Sequence, residues 1–335
     1  MNIEKFYHRE YLIDLDIQFL DFISSEDENL YHSILEARSI HKNANSDLII
    51  ELSFFLEDFI ATIFPISEHL CETKDLTKYF SILYKCKRNF VQRYAIKKYP
   101  DPNILDRSHF HEYLSLEFNE KQYIERSLWL LENFEECPHE LEALAKYTSW
   151  VVKFKPETSL LFQVPQKIDF QNLVSLSKDV NGNISSAKCI GRDGFDLTCP
   201  KPSFNEALNQ ANYCVFCHQQ NRDSCSKGML NSDQTIKTSP LNIPLHGCPL
   251  KEKISEMNLA KANGGVVGPL AIVMIDNPLC PFTGYKICND CSKSCIYQKQ
   301  SPVDIPSVET RVLEDVLNLP YGFEIYSLLT RWNPL

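Results

Sequence analysis

From the N-terminus to about residue 150, apolar side chains recur three and four positions apart with charged residues between them, the spacing of one buried face on an α-helix. The clearest run is Leu48-Ile-Ile-Glu-Leu-Ser-Phe-Phe-Leu-Glu-Asp-Phe-Ile-Ala-Thr-Ile-Phe64. Asn45, Ser46 and Asp47 offer capping side chains just before it, and Pro65 closes it. The same pattern predicts a helix over Leu76–Lys98 and another over Glu120–Phe134, with Pro100, Pro102 and Pro138 marking the connections. Residues 1–148 are therefore expected to form a helical N-terminal domain, a bundle or array.

The pattern shortens from Ser149 to about Pro202. Trp150-Val-Val-Lys-Phe154 and Ser159-Leu-Leu-Phe-Gln-Val-Pro165 are brief and rich in strand formers, while Asn181-Gly182-Asn183 and Gly191-Arg-Asp-Gly194 signal turns. Residues 149–203 thus predict a small β-containing insert or linker. Residues 204–335 form the remaining block.

Composition supports packed domains: 335 residues, 44% hydrophobic and 11% aromatic, are enough for two or three cores. A net charge of −10 argues against general nucleic-acid or anionic-membrane binding, which needs a basic face. Lys85, Lys87, Arg88, Arg93, Lys97 and Lys98 concentrate positive charge on one predicted helix, read as a solvated face, with a docking surface for an acidic partner or for nucleic acid as the sharper alternative. No apolar stretch approaches the roughly 20 residues of a membrane span, and the first residues lack a secretory apolar run. The expected compartment is the cytoplasm.

There, clustered cysteines signify metal or redox chemistry more than disulfides. Seven of the thirteen cysteines form two groups: Cys214, Cys217, Cys225 and Cys248, then Cys288, Cys291 and Cys295. A two-residue gap lets two thiolates of one turn reach the same centre. Zinc could use Cys214/Cys217 with Cys288/Cys291, but three cysteines would be left over, so the spacings favour iron–sulfur. Cys71, Cys86 and Cys137 are read as buried small hydrophobes, Cys189 and Cys199 as isolated thiols, and His109 with His111 as a structural or surface pair. Gly264-Gly265-Val-Val-Gly268 lacks the order of a dinucleotide-binding loop and is assigned a packing or turn role.

Cys214-Val-Phe-Cys217, Cys248-Pro-Leu-Lys-Glu-Lys-Ile-Ser-Glu-Met-Asn258, Pro278-Leu-Cys-Pro-Phe-Thr-Gly284, Cys288-Asn-Asp-Cys-Ser-Lys-Ser-Cys295 and Val303-Asp-Ile-Pro-Ser-Val-Glu309 follow one another in that order. Over Asn205–Leu319 the set resembles the N-terminal α-helical ferredoxin domain of the glutamate synthase small subunit and of dihydropyrimidine dehydrogenase. The resemblance implies a mainly α chain and two [4Fe-4S] clusters with crossed ligation. Cys214, Cys217, Cys225 and Cys295 would bind one; Cys248, Cys288, Cys291 and the Glu309 carboxylate would bind the other. The alternative for Glu309 is a capping or surface acid at the start of a helix over Glu309–Leu317. Cys280 is expected as a buried thiol near the second cluster. The chain departs from the family in a long polar loop, Lys227 to about His246, between Cys225 and Cys248.

The functional expectation is an electron-transfer protein or subunit exchanging single electrons with a flavoprotein oxidoreductase partner. In the resembling enzymes the cluster domain leads into lobes that hold flavin and a nicotinamide cofactor, so the resemblance implies that a partner holds the FAD and NAD(P), with no complete active site in this chain. The alternatives are a structural metal-cluster or zinc scaffold for protein interaction, and an inactive fragment of a split oxidoreductase.

Overall fold

The computed structural model describes residues 3–40, 45–165, 167–174, 176–186, 191, 193–196, 200–284 and 287–335. They are mainly helical, as the periodicity predicts, and among them is a single two-stranded antiparallel sheet. In chain order the elements are α1 (Arg9–Glu26), α2 (Glu28–Ile40), α3 (Ser46–Ile63), α4 (Ser67–Cys86), α5 (His111–Ser115), α6 (Glu120–Glu132), α7 (Pro138–Phe154), β1 (Leu176–Lys178) and β2 (Ile184–Ser186). There follow α8 (Phe204–Tyr213), α9 (Ser224–Lys227), α10 (Ile254–Ala262), α11 (Val267–Asp276), α12 (Cys280–Thr283), α13 (Asp290–Lys293), α14 (Ile305–Leu317) and α15 (Gly322–Leu329). Two compact units result, one of residues 1–74 with 167–335, the other of residues 75–166.

The first unit is built around α11, whose residues from Val267 to Met274 are all buried, and α3, which packs against it. Asn45 caps α3 as expected, its Oδ1 accepting from the Leu48 N–H at 2.7 Å. Close approach of α3 and α11 depends on Gly268: a Cβ there would lie 2.7 Å from the Ser53 carbonyl oxygen. The turn ahead of α11 is Gly264-Gly265, with Gly264 at φ +91°. Glu57 of α3 then closes the helix start, its Oε2 accepting from the N–H groups of Val266, Val267 and Gly268 at 2.6, 2.7 and 3.2 Å. One core joins Phe19, Leu56 and Ile60 to Leu270, Val308 and Trp332. The Trp332 ring meets Phe19 at 5.8 Å and Phe59 at 6.0 Å, and its Nε1–H donates to Asp16 at 3.1 Å.

The second unit packs α7 against a ten-residue π-helical segment, Lys87–Ile96, that follows α4. Its core holds Phe90, Tyr123 and Phe162, and the Tyr123 hydroxyl bonds Thr148 at 2.6 Å. The helix expected over Leu76–Lys98 therefore begins earlier, at Ser67, and changes winding at Lys87. Lys87 is buried rather than solvated, and burial lowers its ammonium to about 8; Lys85, Arg93, Lys97 and Lys98 are exposed.

Two predicted strands are helical instead. Trp150–Phe154 ends α7, because Leu141, Leu144, Ala145, Thr148 and Val151 form one buried helical face whose start at Pro138 lies before the segment. Leu160–Phe162 is a 3₁₀ turn. The strands found, β1 and β2, are exposed throughout and joined across the Asn181-Gly182-Asn183 turn, where Gly182 has φ +83°.

Candidate cysteine sites

Four thiols come together from four segments of the chain. Cys214 ends α8, Cys217 opens a short 3₁₀ turn after Phe216 in the left-handed region, Cys225 lies on α9, and Cys295 follows α13, which packs against α9. All four are buried. The Cys225 thiol donates to the Cys295 sulfur, which holds Cys295 down to about 7 and drives Cys225 well up. Burial raises Cys214 to about 11 and raises Cys217, and the charge of Cys295 acts on both in the same direction. Asn258 of α10 lies beside the Cys214 thiol and partly offsets its shift.

Polar atoms crowd this group without ordinary partners: His218 Nε2, Asp223 Oδ1, Glu256 Oε2 and both amide atoms of Asn258 are buried and unpaired. The opposite atoms of two of these residues are satisfied, His218 Nδ1 by Ser255 at 2.7 Å and Glu256 Oε1 by Ser46 at 2.6 Å. A cluster of orphaned atoms in a native core calls for a bound group or ordered water.

A second group contains Cys248, Cys291 and Cys288, half-buried, buried and exposed, with Glu309. Cys291 is pushed up by burial, and Cys248, Glu309 and Cys288 all lie within its electrostatic reach. Glu309 sits inside α14 and is 9% exposed, so it is neither a cap nor a surface acid: α14 starts four residues earlier, at Ile305, with Asp304 as its cap. Burial, then the nearby Glu252, raises the Glu309 carboxyl to about 8. The Asn277 amide serves both acids, donating to Glu252 at 2.8 Å and to Glu309 at 3.4 Å. Cys280 is buried beside them and raised to about 12 by burial. Sequence reasoning passed over Glu252 and Asn277; the only signal was an acid four residues after Cys248.

The two groups meet through the backbone, where the Cys248 N–H donates to the Cys225 carbonyl at 2.7 Å and the Gly247 N–H to Ser294 Oγ at 2.9 Å. The polar loop between them is ordered, with Met229 N–H donating to Leu245 O at 2.9 Å and Lys237 N–H to Met229 O at 2.8 Å. Away from both groups, Cys86 is buried, Cys137 half-buried and Cys71 exposed, so the last is not a core hydrophobe. His109 and His111 are on the surface. Cys189 and Cys199 lie outside the described residues.

As a donor set, four thiols, and three thiols with a carboxylate, suit a soft cationic group, since burial makes ionisation of unaccompanied thiols costly. Among the described residues, however, no group of three or more His, Cys, Asp or Glu side chains is arranged to hold a metal ion. Nor is any described helix long and apolar enough to cross a membrane.

Fold and sites together define a mainly helical protein with two cysteine groups. The chain belongs to the RP005 family: it is 31% identical over 277 residues to the uncharacterized protein RP005 of Rickettsia prowazekii, a match covering 74% of this chain and 92% of that one. The family's N-terminal alpha-helical domain matches residues 1–65. A second protein of that organism, the uncharacterized RP006, is 72% identical over 53 residues, 16% of this chain and 8% of RP006. No solved structure matches.

This membership overturns the resemblance to the glutamate synthase small subunit and dihydropyrimidine dehydrogenase. The iron–sulfur, metal-binding and oxidoreductase labels that came with it have no support from the RP005 family. The physical reason is that short cysteine motifs separated by gaps of free length record a local donor geometry, which unrelated chains can share, and not descent.

Proposed function

We propose, from the placement of the thiols and independently of any family label, that the chain is an electron relay whose two cysteine groups each hold a [4Fe-4S] cluster. The observation that carries this is the burial together of Cys214, Cys217, Cys225 and Cys295, gathered from four segments of the chain and accompanied by unpaired polar atoms. A single tetrahedral ion would draw its sulfurs to about 3.8 Å from one another. In a polynuclear cluster each thiolate binds a different iron, so the four sulfurs stand farther apart than around one ion. When bound, such a cluster supplies a one-electron couple.

In this reading Cys214, Cys217, Cys225 and Cys295 are the ligands of one group and Cys248, Cys288, Cys291 and Glu309 those of the other. Asn258 lies beside the Cys214 sulfur, and Asn277 donates to the Glu309 carboxyl. The exposed Cys288 marks the edge facing a separate redox protein. A reducing cytoplasm keeps the thiols available.

Anaerobic reconstitution with iron and sulfide tests it. The expected result is about eight irons and eight sulfides per chain, with reduced-cluster EPR signals of which Cys295→Ser abolishes one. Failure to take up iron and sulfide in stoichiometric amounts would end the proposal.

A further inference from the structure

Two helical faces of this chain expose isoleucine, and the charges around them are opposite. On α1, Glu10, Ile13, Asp14, Ile17 and Asp21 recur at the three- and four-residue spacing of one face, and all five are exposed. Ile13 and Ile17 are 51% and 52% exposed on a helix that already buries Leu15, Phe19 and Ile23 on its other side. Glu10, Asp14 and Asp21 have no basic partner among the described residues.

The opposite face lies on α4 and the π-helical segment after it. From Leu76 to Lys98 there are seven lysines and arginines and no acid, whereas residues 75–166 as a whole hold as many acids as bases and the first unit carries the entire net charge of −10. All seven bases except Lys87 are exposed. Ile82, 51% exposed, stands between Lys78 and Lys85 on one face of α4, and Leu76 extends the apolar surface at 57%. Lys85 meets Glu132 at 3.9 Å with both side chains more than half exposed, a weak pairing, and Arg93 and Lys97 have no acidic partner among the described residues.

We infer that these faces are the two halves of one contact between copies of this chain, α1 of one copy lying against residues 76–98 of the next. The isoleucines of α1 cover Leu76 and Ile82, and its carboxylates face the bases. Charge complementarity selects the occupant: a second copy brings the acids that the basic face lacks together with apolar side chains, whereas nucleic acid would leave Leu76 and Ile82 uncovered. So few apolar residues make a small interface, and the association is reversible and sensitive to salt. The inference stands apart from the cluster proposal, because it uses none of the cysteine chemistry.

Sedimentation velocity of the chain tests it, with a reductant present so that the exposed Cys71 and Cys288 do not cross-link copies. The mean mass is expected to rise between about 1 and about 100 μM protein, the range of weak specific complexes. Raising salt from about 50 to about 500 mM should weaken association at least about tenfold. Lys85→Gln/Arg93→Gln/Lys97→Gln and Glu10→Gln/Asp14→Asn/Asp21→Asn should each stay monomeric alone, because each lacks one half of the contact. Mixed, they should form one-to-one pairs and nothing larger, since a single intact acidic face then meets a single intact basic face; that recovery also shows both variants to be folded. A wild-type chain that remains monomeric at about 100 μM would overturn the inference, whether or not its basic face takes up a labelled oligonucleotide. So would self-association of either variant as strong as that of the wild type, or a mixture that stays monomeric.

Discussion

Glu309 and Glu252 lie in one buried corner with a single amide, that of Asn277, between them. Both carboxyls are raised by burial. A carboxyl at about 8 in the fold against 4.5 as its ordinary value is held protonated, so its contribution to stability is complete below pH 4.5 and is lost as pH climbs through 8. Metal-free protein should therefore melt at progressively lower temperature from pH 5 to pH 8, and Glu309→Gln should flatten that decline. An unaltered profile in the variant would mean that Glu309 ionises freely in the fold. Lys261 poses the opposite problem, an ammonium 1% exposed and held by Asp315 at 2.5 Å. Lys261→Ala leaves that acid to Arg311 alone, and urea titration should show a loss of about 3 kcal/mol. Cysteine spacing was legible because Cys-x-x-Cys is a local fact. The company of Glu309 was not, since residues 252, 277 and 309 are brought together only by tertiary packing.

Helices were legible where cap, periodic face and breaker coincide, as in α3 with Asn45 and Pro65. They were misread where a segment was cut out of its own pattern, as when Val151 and Val152 suggested a strand although α7 had begun at Pro138. The winding change at Lys87 had no signal, for nothing in residue spacing separates a π-helix from an α-helix over a few turns. The contact of α3 with α11 makes a sharper demand than either helix does alone. At Gly268 the added methyl of Gly268→Ala would press on the Ser53 carbonyl, so the helices must separate or tilt. The expected cost is about 1–3 kcal/mol, read as a lower urea midpoint with an unchanged slope. Glu57 acts at the same junction by satisfying three N–H groups that open α11, which explains why an apolar face of α3 includes a buried acid.

Across the molecule, the residues matched by the RP005 N-terminal domain are no separate body. Phe6, Phe19, Leu56 and Ile60 belong to the same core as Leu270, Val308 and Trp332. A fragment of residues 1–65 should accordingly show helical circular dichroism without a cooperative melt, whereas residues 1–74 mixed with 167–335 should recover one. A cooperative transition in the short fragment would contradict the shared core. Reading a sequence in contiguous blocks conceals such a grouping, because the two parts of the first unit are joined only in space. That interruption also bears on the order of events during folding. The ends of the 92 intervening residues, 75–166, must be brought together before the first unit can condense, an entropic toll of about 4 kcal/mol if they are still a loose chain. Early structure in the second unit shortens that search. Phe90→Ala, which loosens the second unit alone, should then slow refolding of the first while leaving the rate at which its core opens unchanged, a difference that stopped-flow fluorescence of Trp332 would resolve.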